Sequence, residues 1–310
     1  MGLLKKIFPR KFRHFLLGLL AKSGFATGKM LPRSIGLALF SAAGAVCYYL
    51  LPKDRKQTIR NLKIVFGEEW SDKKIRATAK AVFVSLGKNL FDAVHLKTVR
   101  AKKFYQAFTH DDLSCIAEVK KEGKGAVFIT AHLGCFEMLL HYFARSGFDG
   151  VIVGRAFKNT AIDEVVRKMR SGPGIEYIDR SEDPRKIVRR LREGKMMGAL
   201  IDQDTNVEGV FADFLGYPAF TPSSAVRFAM KFGMPVIVSV TARTEGGKHH
   251  VFVSDRVTYV KTDDFEADLL SVIQKINGII GGYIRKYPEQ WVWMHDRWKT
   301  KPPVKDTVDK

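Results

Sequence analysis

A chain of 310 residues can bury a sizeable core, as one large domain or two small ones. Its 46% hydrophobic and 27% charged residues exclude a disordered chain, and three scattered cysteines (Cys47, Cys115, Cys135) exclude a disulfide framework or a cysteine-built zinc site. The net charge of +20 is concentrated early: residues 1–100 hold 20 Lys/Arg against 5 Asp/Glu, three quarters of the excess.

Eight basic residues and no acidic one precede residue 34, interleaved with leucine and phenylalanine. An anionic membrane surface accounts for both features, whereas nucleic acid leaves the apolar residues unexplained. Residues 34–52 are free of charge, and their apolar core, 35–51, sits at the lower limit of a spanning helix. Both flanks are basic. The positive-inside tendency would send the rest of the chain outward, while the cysteine usage suits a reducing cytoplasm. A helix in the interface, a re-entrant helix, a span of unusual orientation and a buried core helix all remain open.

Residues 53–99 are polar and helix-prone, with a turn at Gly67-Glu68-Glu69-Trp70 and a helix start at Ser71-Asp72. From residue 124 short apolar runs alternate with amphipathic segments. Strands are expected at 126–130, 151–153, 175–178, 197–201, 236–240 and 251–253, and helices at 136–145, 160–170, 184–193, 223–232 and 264–285. The alternation predicts an α/β fold: a central, mostly parallel or mixed sheet flanked by helices, behind an N-terminal apolar, membrane-associating helical region. The expected organisation is a membrane-associating segment 1–52, a helical membrane-proximal part 53–123, an α/β core 124–300 and a loose tail 301–310, folded as one unit.

His132 follows the buried run 126–130, and Glu137 stands five residues later. In one continuous helix those side chains would point about 140° apart. They meet only if they straddle a strand-to-helix turn, for which Gly134 supplies backbone freedom. A base with an orienting carboxylate can take the proton from a hydroxyl attacking an acyl carbonyl; the alternative is a structural histidine at a strand end. Glu137 and His141 share one helical face, but no further Cys/His cluster supports a metal, and none is expected. Cys135 is either a thiol nucleophile or a small packed hydrophobe.

Arg155, after the second strand, can bind a phosphate or an oxyanion, or can be a surface arginine. Arg167 and Arg170 read as a solvated helix face. Asp202-Gln203-Asp204 ends the strand 197–201 as turn caps or as fixers of an active-site loop. The Gly- and aromatic-rich stretch 209–220 reads as a loop lining a tunnel or packing over the sheet edge. Residues 288–299 close the core or form a membrane edge.

Taken in order, these blocks resemble the acyltransferases of lipid A biosynthesis, the lauroyl/myristoyl family within the lysophospholipid-acyltransferase-like superfamily. The resemblance runs through Ile59-Arg60-Asn61-Leu62, Phe66, the His132-x4-Glu137 block, Val153-Gly154-Arg155 with Asn159, and Met169-Arg170-Ser171. It continues through Asp202-Gln203-Asp204, Gly209-Val210-Phe211, Thr221 and the closing Pro288-Glu289-Gln290-Trp291-x-Trp293-x-His295-x-Arg297-Trp298-Lys299. The family commonly has Asn-Trp where this chain has Cys135-Phe136. The resemblance implies transfer of a fatty acyl group from acyl carrier protein to a hydroxyl of a membrane lipid A precursor, without an acyl-enzyme and without a cofactor. It implies His132 and Glu137 as the catalytic pair, Arg155, Arg170, Asp202 and Gln203 as substrate-binding residues, and a bacterial inner-membrane location facing the cytoplasm. Acyl transfer to a lysophospholipid or a phosphoinositide mannoside, and non-catalytic lipid binding, are the alternatives.

Overall fold

The computed structural model describes residues 30–303 apart from Arg155, Lys158 and Pro184. The expectations for the basic segment before residue 30, for Arg155 and for most of the tail therefore lie outside the described residues. Among the described residues three helices come first: α1 (Arg33–Leu50), α2 (Pro52–Phe66) and α3 (Asp72–Thr98). Pro52 opens α2, where its missing N–H goes unused, and the Ser71 hydroxyl caps α3 by accepting from the Lys74 amide. A short α4 (Ala101–Gln106), β1 (Phe108–His110) and α5 (Ser114–Glu122) lead into the sheet.

The strand–helix alternation follows as β2 (Ala126–Thr130), α6 (Leu139–Arg145), β3 (Gly150–Gly154), α7 (Thr160–Arg170), β4 (Ile175–Asp179), α8 (Arg185–Arg192) and β5 (Met196–Leu200). Then come β6 (Gly209–Phe214), β7 (Tyr217–Pro222), α9 (Ser224–Lys231), β8 (Val236–Arg243), β9 (His249–Arg256) and the long α10 (Phe265–Lys286). Seven strands form one sheet in the order β1-β9-β8-β2-β5-β3-β4, parallel throughout except for the β8/β9 pair. Period-2 alternation divides the core between the two faces. Val127 and Ile129 of β2 join the cluster under α2, α9 and α10, while Ala126 and Phe128 join the one under α4, α5 and α6.

Two elements depart from the sequence expectation. The sheet begins at β1, inside the part expected to be helical; three residues on an edge carry no readable periodicity. Residues 209–220, expected as a loop, fall instead within the β6–β7 hairpin, closed by Leu215 and Gly216 at φ of 60° and 92°. Such a two-residue turn normally announces itself by Asn-Gly or Asp-Gly, and the leucine hides it.

Against this core, α1 packs along α3 through Gly36, Phe40, Gly44 and Tyr48, one residue per turn. A Cβ on Gly44 would stand 2.3 Å from the Phe83 carbonyl oxygen, and one on Gly87 would stand 2.1 Å from that of Phe40, so the helices touch backbone to backbone. Arg33 at the start of α1 forks onto the buried Asp92 at 2.9 and 2.8 Å. Asp92 also accepts from Arg243 and His249, both at 2.8 Å. Burial alone would raise the Asp92 pKa; these cationic and N–H partners outweigh it and hold the carboxyl far below its ordinary range.

Candidate active site

Strands β2 and β5 are parallel neighbours with Thr130 opposite Leu200. Two residues beyond each, at the carboxyl edge where α/β sheets gather ligands, stand His132 and Asp202. His132 Nδ1 lies 2.8 Å from Asp202 Oδ1, and the His132 amide donates to Oδ2 at 2.7 Å. The Trp291 indole N–H donates to the same Oδ2 at 2.7 Å. The carboxylate is fully buried while the imidazole keeps 23% of its side chain exposed. Burial pushes the Asp202 carboxyl up, but the His132 ring, the Trp291 N–H and the His132 amide prevail and leave it below the ordinary value. An ionised carboxylate only accepts, so the partner assigns the ring proton to Nδ1 and the lone pair to Nε2.

The imidazole's orienting carboxylate is therefore Asp202 and not Glu137, to which the sequence reading gives that role. After His132 the chain turns through Gly134 into a 3-10 turn, Phe136–Met138, and presents Glu137 to the C-terminus of α7. There Arg170 grips it: Nε lies 3.0 and 3.2 Å from the two carboxylate oxygens and Nη2 lies 2.6 Å from Oε1. Arg170 is thus a buried-edge partner of Glu137, not a residue of a solvated face. Gln203 is half-buried beside Asp202, and Asp204 turns inward to accept the Thr300 amide at 2.9 Å.

The closing aromatic block clamps the His132 loop. The Val292 amide donates to the His132 carbonyl at 3.1 Å, and the Gly134 amide donates to the Gln290 carbonyl at 3.0 Å. Gly134 has φ 56°, and a Cβ there would stand 2.1 Å from the Thr241 carbonyl oxygen. Arg297 is fully buried, binding the Phe220 carbonyl and, at 2.7 Å, the Thr221 hydroxyl. Burial lowers its pKa to about 10, which still leaves it cationic at neutral pH. The block closes the core and supplies Trp291 to the site; a membrane edge does not describe it.

His141 is buried with Nε2 2.6 Å from the Met169 carbonyl, and burial draws its pKa down to about 4, so it is a neutral donor. Among the described residues no group of three or more His, Cys, Asp or Glu side chains could hold a metal ion. Cys135 is 2% exposed and burial pushes its thiol far above the ordinary range, the opposite of what a nucleophile needs.

An apolar cavity of about 80 Å³ opens between the sheet and α6, lined by Phe128, Leu140, Ile152 and Leu200, with the Glu137–Arg170 pair at its polar end. The Phe136 ring lines it and meets the His132 ring edge-on at 4.9 Å, which sets the cavity beside the imidazole. Gly198 of β5 borders it, and no heavy atom lies within 4 Å of where a Cβ would stand. Asp202 is the partner that sequence reasoning missed. The signal was present in two apolar runs, 126–130 and 197–201, each followed closely by an ionisable residue, but only the strand order makes them neighbours.

The fold and site define a class: an α/β protein with a carboxylate-held imidazole at the carboxyl edge of its sheet and an apolar cavity beside it. Residues 6–300 match the profile of the bacterial lipid A biosynthesis acyltransferases, and the chain belongs to that family. It is 22% identical over 303 residues to the lipid A biosynthesis myristoyltransferase of Escherichia coli K12, covering 96% of this chain and 91% of that protein. It is 24% identical over 287 residues to the palmitoleoyltransferase of the same organism, covering 88% and 87%, and 22% identical over 275 residues to the lauroyltransferase, covering 88% of each. The chain is an acyltransferase, and its family acts on lipid A precursors.

Proposed function

We propose that this chain moves a fatty acyl group from the thioester of acyl carrier protein to a hydroxyl of a membrane-held lipid A precursor, with His132 as general base. The observation that carries the reading is the fixed tautomer of His132, held by Asp202 with Nε2 left as acceptor. Nε2 takes the hydroxyl proton as the oxygen forms its bond to the acyl carbon. The carbon–sulfur bond then breaks, and the imidazolium returns the proton to the departing thiolate. Asp202 stabilises the imidazolium meanwhile. No acyl-enzyme is required, and Cys135 takes no part.

In this reading the donor's hydrocarbon chain enters the cavity bordered by Gly198, and Glu137 and Arg170 form its polar mouth. Arg170, Gln203 and Arg155 remain the residues proposed to contact substrate. No cofactor beyond the acyl donor is invoked. We place the enzyme at the cytoplasmic side of a bacterial inner membrane, which the free cysteines, the basic early sequence and the lipid acceptor support. The test is transfer from acyl carrier protein thioesters to a purified precursor, with the product read by mass spectrometry. Loss of transfer in His132→Ala with the fold retained supports the mechanism; near-normal transfer overturns it.

A further inference from the structure

We infer that the outward face of α1, together with the basic groove between α2 and α3, is a docking surface for an anionic lipid bilayer, with α1 lying along the membrane and not through it. The inference rests on the proposed transfer to a membrane-held acceptor and adds how the enzyme sits.

With 18 residues α1 is long and apolar enough to cross a membrane by length and composition. A crossing helix must meet lipid around its whole circumference, or neighbours that are themselves apolar. Here the face of Gly36, Phe40, Gly44 and Tyr48 is fused to α3, which carries Lys80, Lys88, Asn89 and Asp92 along the same stretch. Standing α1 upright in hydrocarbon would draw those groups in with it, and each charged side chain near the centre carries a steep desolvation cost. The Arg33–Asp92 fork fixes the α1 start to the core as well.

Among the described residues the opposite face of α1 has no such partner. Ile35, Leu39, Val46, Tyr49 and Leu50 are 50–64% exposed, with Ala38, Ala42 and Ala43 exposed between them. A soluble surface rarely shows so continuous an apolar stripe. Its end is marked by Tyr49 beneath the Lys80 ammonium at 5.5 Å, an aromatic–cation arrangement suited to a headgroup boundary. Just beyond, a groove of about 640 Å³ gathers Arg55, Lys56, Arg60, Lys63 and Arg76. Among the described residues two carboxylates answer these five cations: Asp72 on Lys63 at 2.7 Å and Asp296 near Arg60 at 3.9 Å. The surplus suits lipid phosphates, since each basic residue near an anionic surface adds to the attraction. An acidic carrier protein would match the cations but leave the apolar stripe in water, so lipid is the occupant that satisfies both.

The test uses the full chain with Cys47→Ser and Cys115→Ser and a single spin label at 35, 39, 46 or 50, bound to vesicles of neutral phospholipid with 30% phosphatidylglycerol. Oxygen and nickel-chelate accessibilities report label depth. The expected result is lipid contact at all four positions and one shallow depth. Four water-exposed labels, or depths graded from 35 to 50, would overturn it. In parallel, Arg55→Glu/Lys56→Glu/Arg76→Glu should weaken partition onto these vesicles at least tenfold and leave transfer to detergent-dispersed acceptor unchanged. Unchanged partition, or a raised KM for the carrier-protein donor in detergent, removes lipid from the groove. Wild-type transfer in detergent tests the catalytic reading by itself, so the two can fail separately.

Discussion

Trp291 and His132, 159 positions apart in the chain, donate to one buried carboxylate, Asp202, at 2.7 and 2.8 Å. The C-terminal block thereby reaches the His132 ring through a shared acceptor.

Asp202→Asn should lower kcat about 10³- to 10⁴-fold with the fold intact, because the amide no longer fixes the productive tautomer. Trp291→Phe keeps the ring's bulk and removes one donor. It should cost about 10- to 150-fold in kcat, a hydrogen bond to a charged acceptor being worth about 1.5–3 kcal/mol. Steady-state transfer at fixed donor, with circular dichroism as the control on folding, checks both.

Glu137→Gln leaves Arg170 with a poorer partner, and Arg170→Gln leaves Glu137 without its grip. Both side chains are mostly buried, at 15% and 20% exposure, so the pair should show a coupling energy of about 1–3 kcal/mol in a double-mutant cycle on stability. Additive single effects in chemical denaturation would contradict this.

Much of this site was legible before folding, and some of it was not. His132 announces itself because an apolar run stops one residue short of Ala131, and the alternation of runs gives the sheet. Glu137 was visible too, but spacing along a chain cannot report which neighbour a side chain turns toward once a 3-10 turn intervenes. Asp202 read as a turn cap, a fixer of an active-site loop or a substrate contact, and its bond to His132 stayed hidden because strand order is a tertiary property: β5 lies beside β2 only after β3 and β4 have been placed outside it. Leu215 concealed the β6–β7 hairpin by sitting where glycine or asparagine is expected.

Acid should weaken the fold through His141. Its folded pKa of about 4 lies below the ordinary 6.5, so its contribution is complete above 6.5 and is lost as pH falls from 6.5 toward 4. The loss amounts to roughly 3 kcal/mol for this group. Urea midpoints measured between pH 7.5 and 4 should fall, and His141→Gln, which retains an N–H donor for the Met169 carbonyl, should flatten part of that slope.

Gly198→Leu should fill the apolar cavity and shift donor preference toward shorter chains. A competition assay with carrier-protein thioesters of graded length reads the shift. An unchanged preference with the protein folded would show that the donor chain lies elsewhere.

Iodoacetamide should modify Cys47 and Cys115 well before Cys135, which becomes reactive only on unfolding. Cys135→Ala should retain most of the transfer rate, and mass spectrometry after donor turnover should find no acyl adduct on this residue.

Asp92 binds Arg33 of α1 on one side and Arg243 on the other; Arg243 shares two hydrogen bonds with Gln290, whose carbonyl holds Gly134 in the loop of His132. The helix proposed to meet lipid and the imidazole proposed as base are thus linked through one chain of hydrogen bonds. The distance from bilayer to imidazole is a built-in gauge. If the proposed docking and base hold, the acceptor must rise to that height to react, and selection would depend on how far a hydroxyl can be lifted from the membrane as well as on what surrounds it.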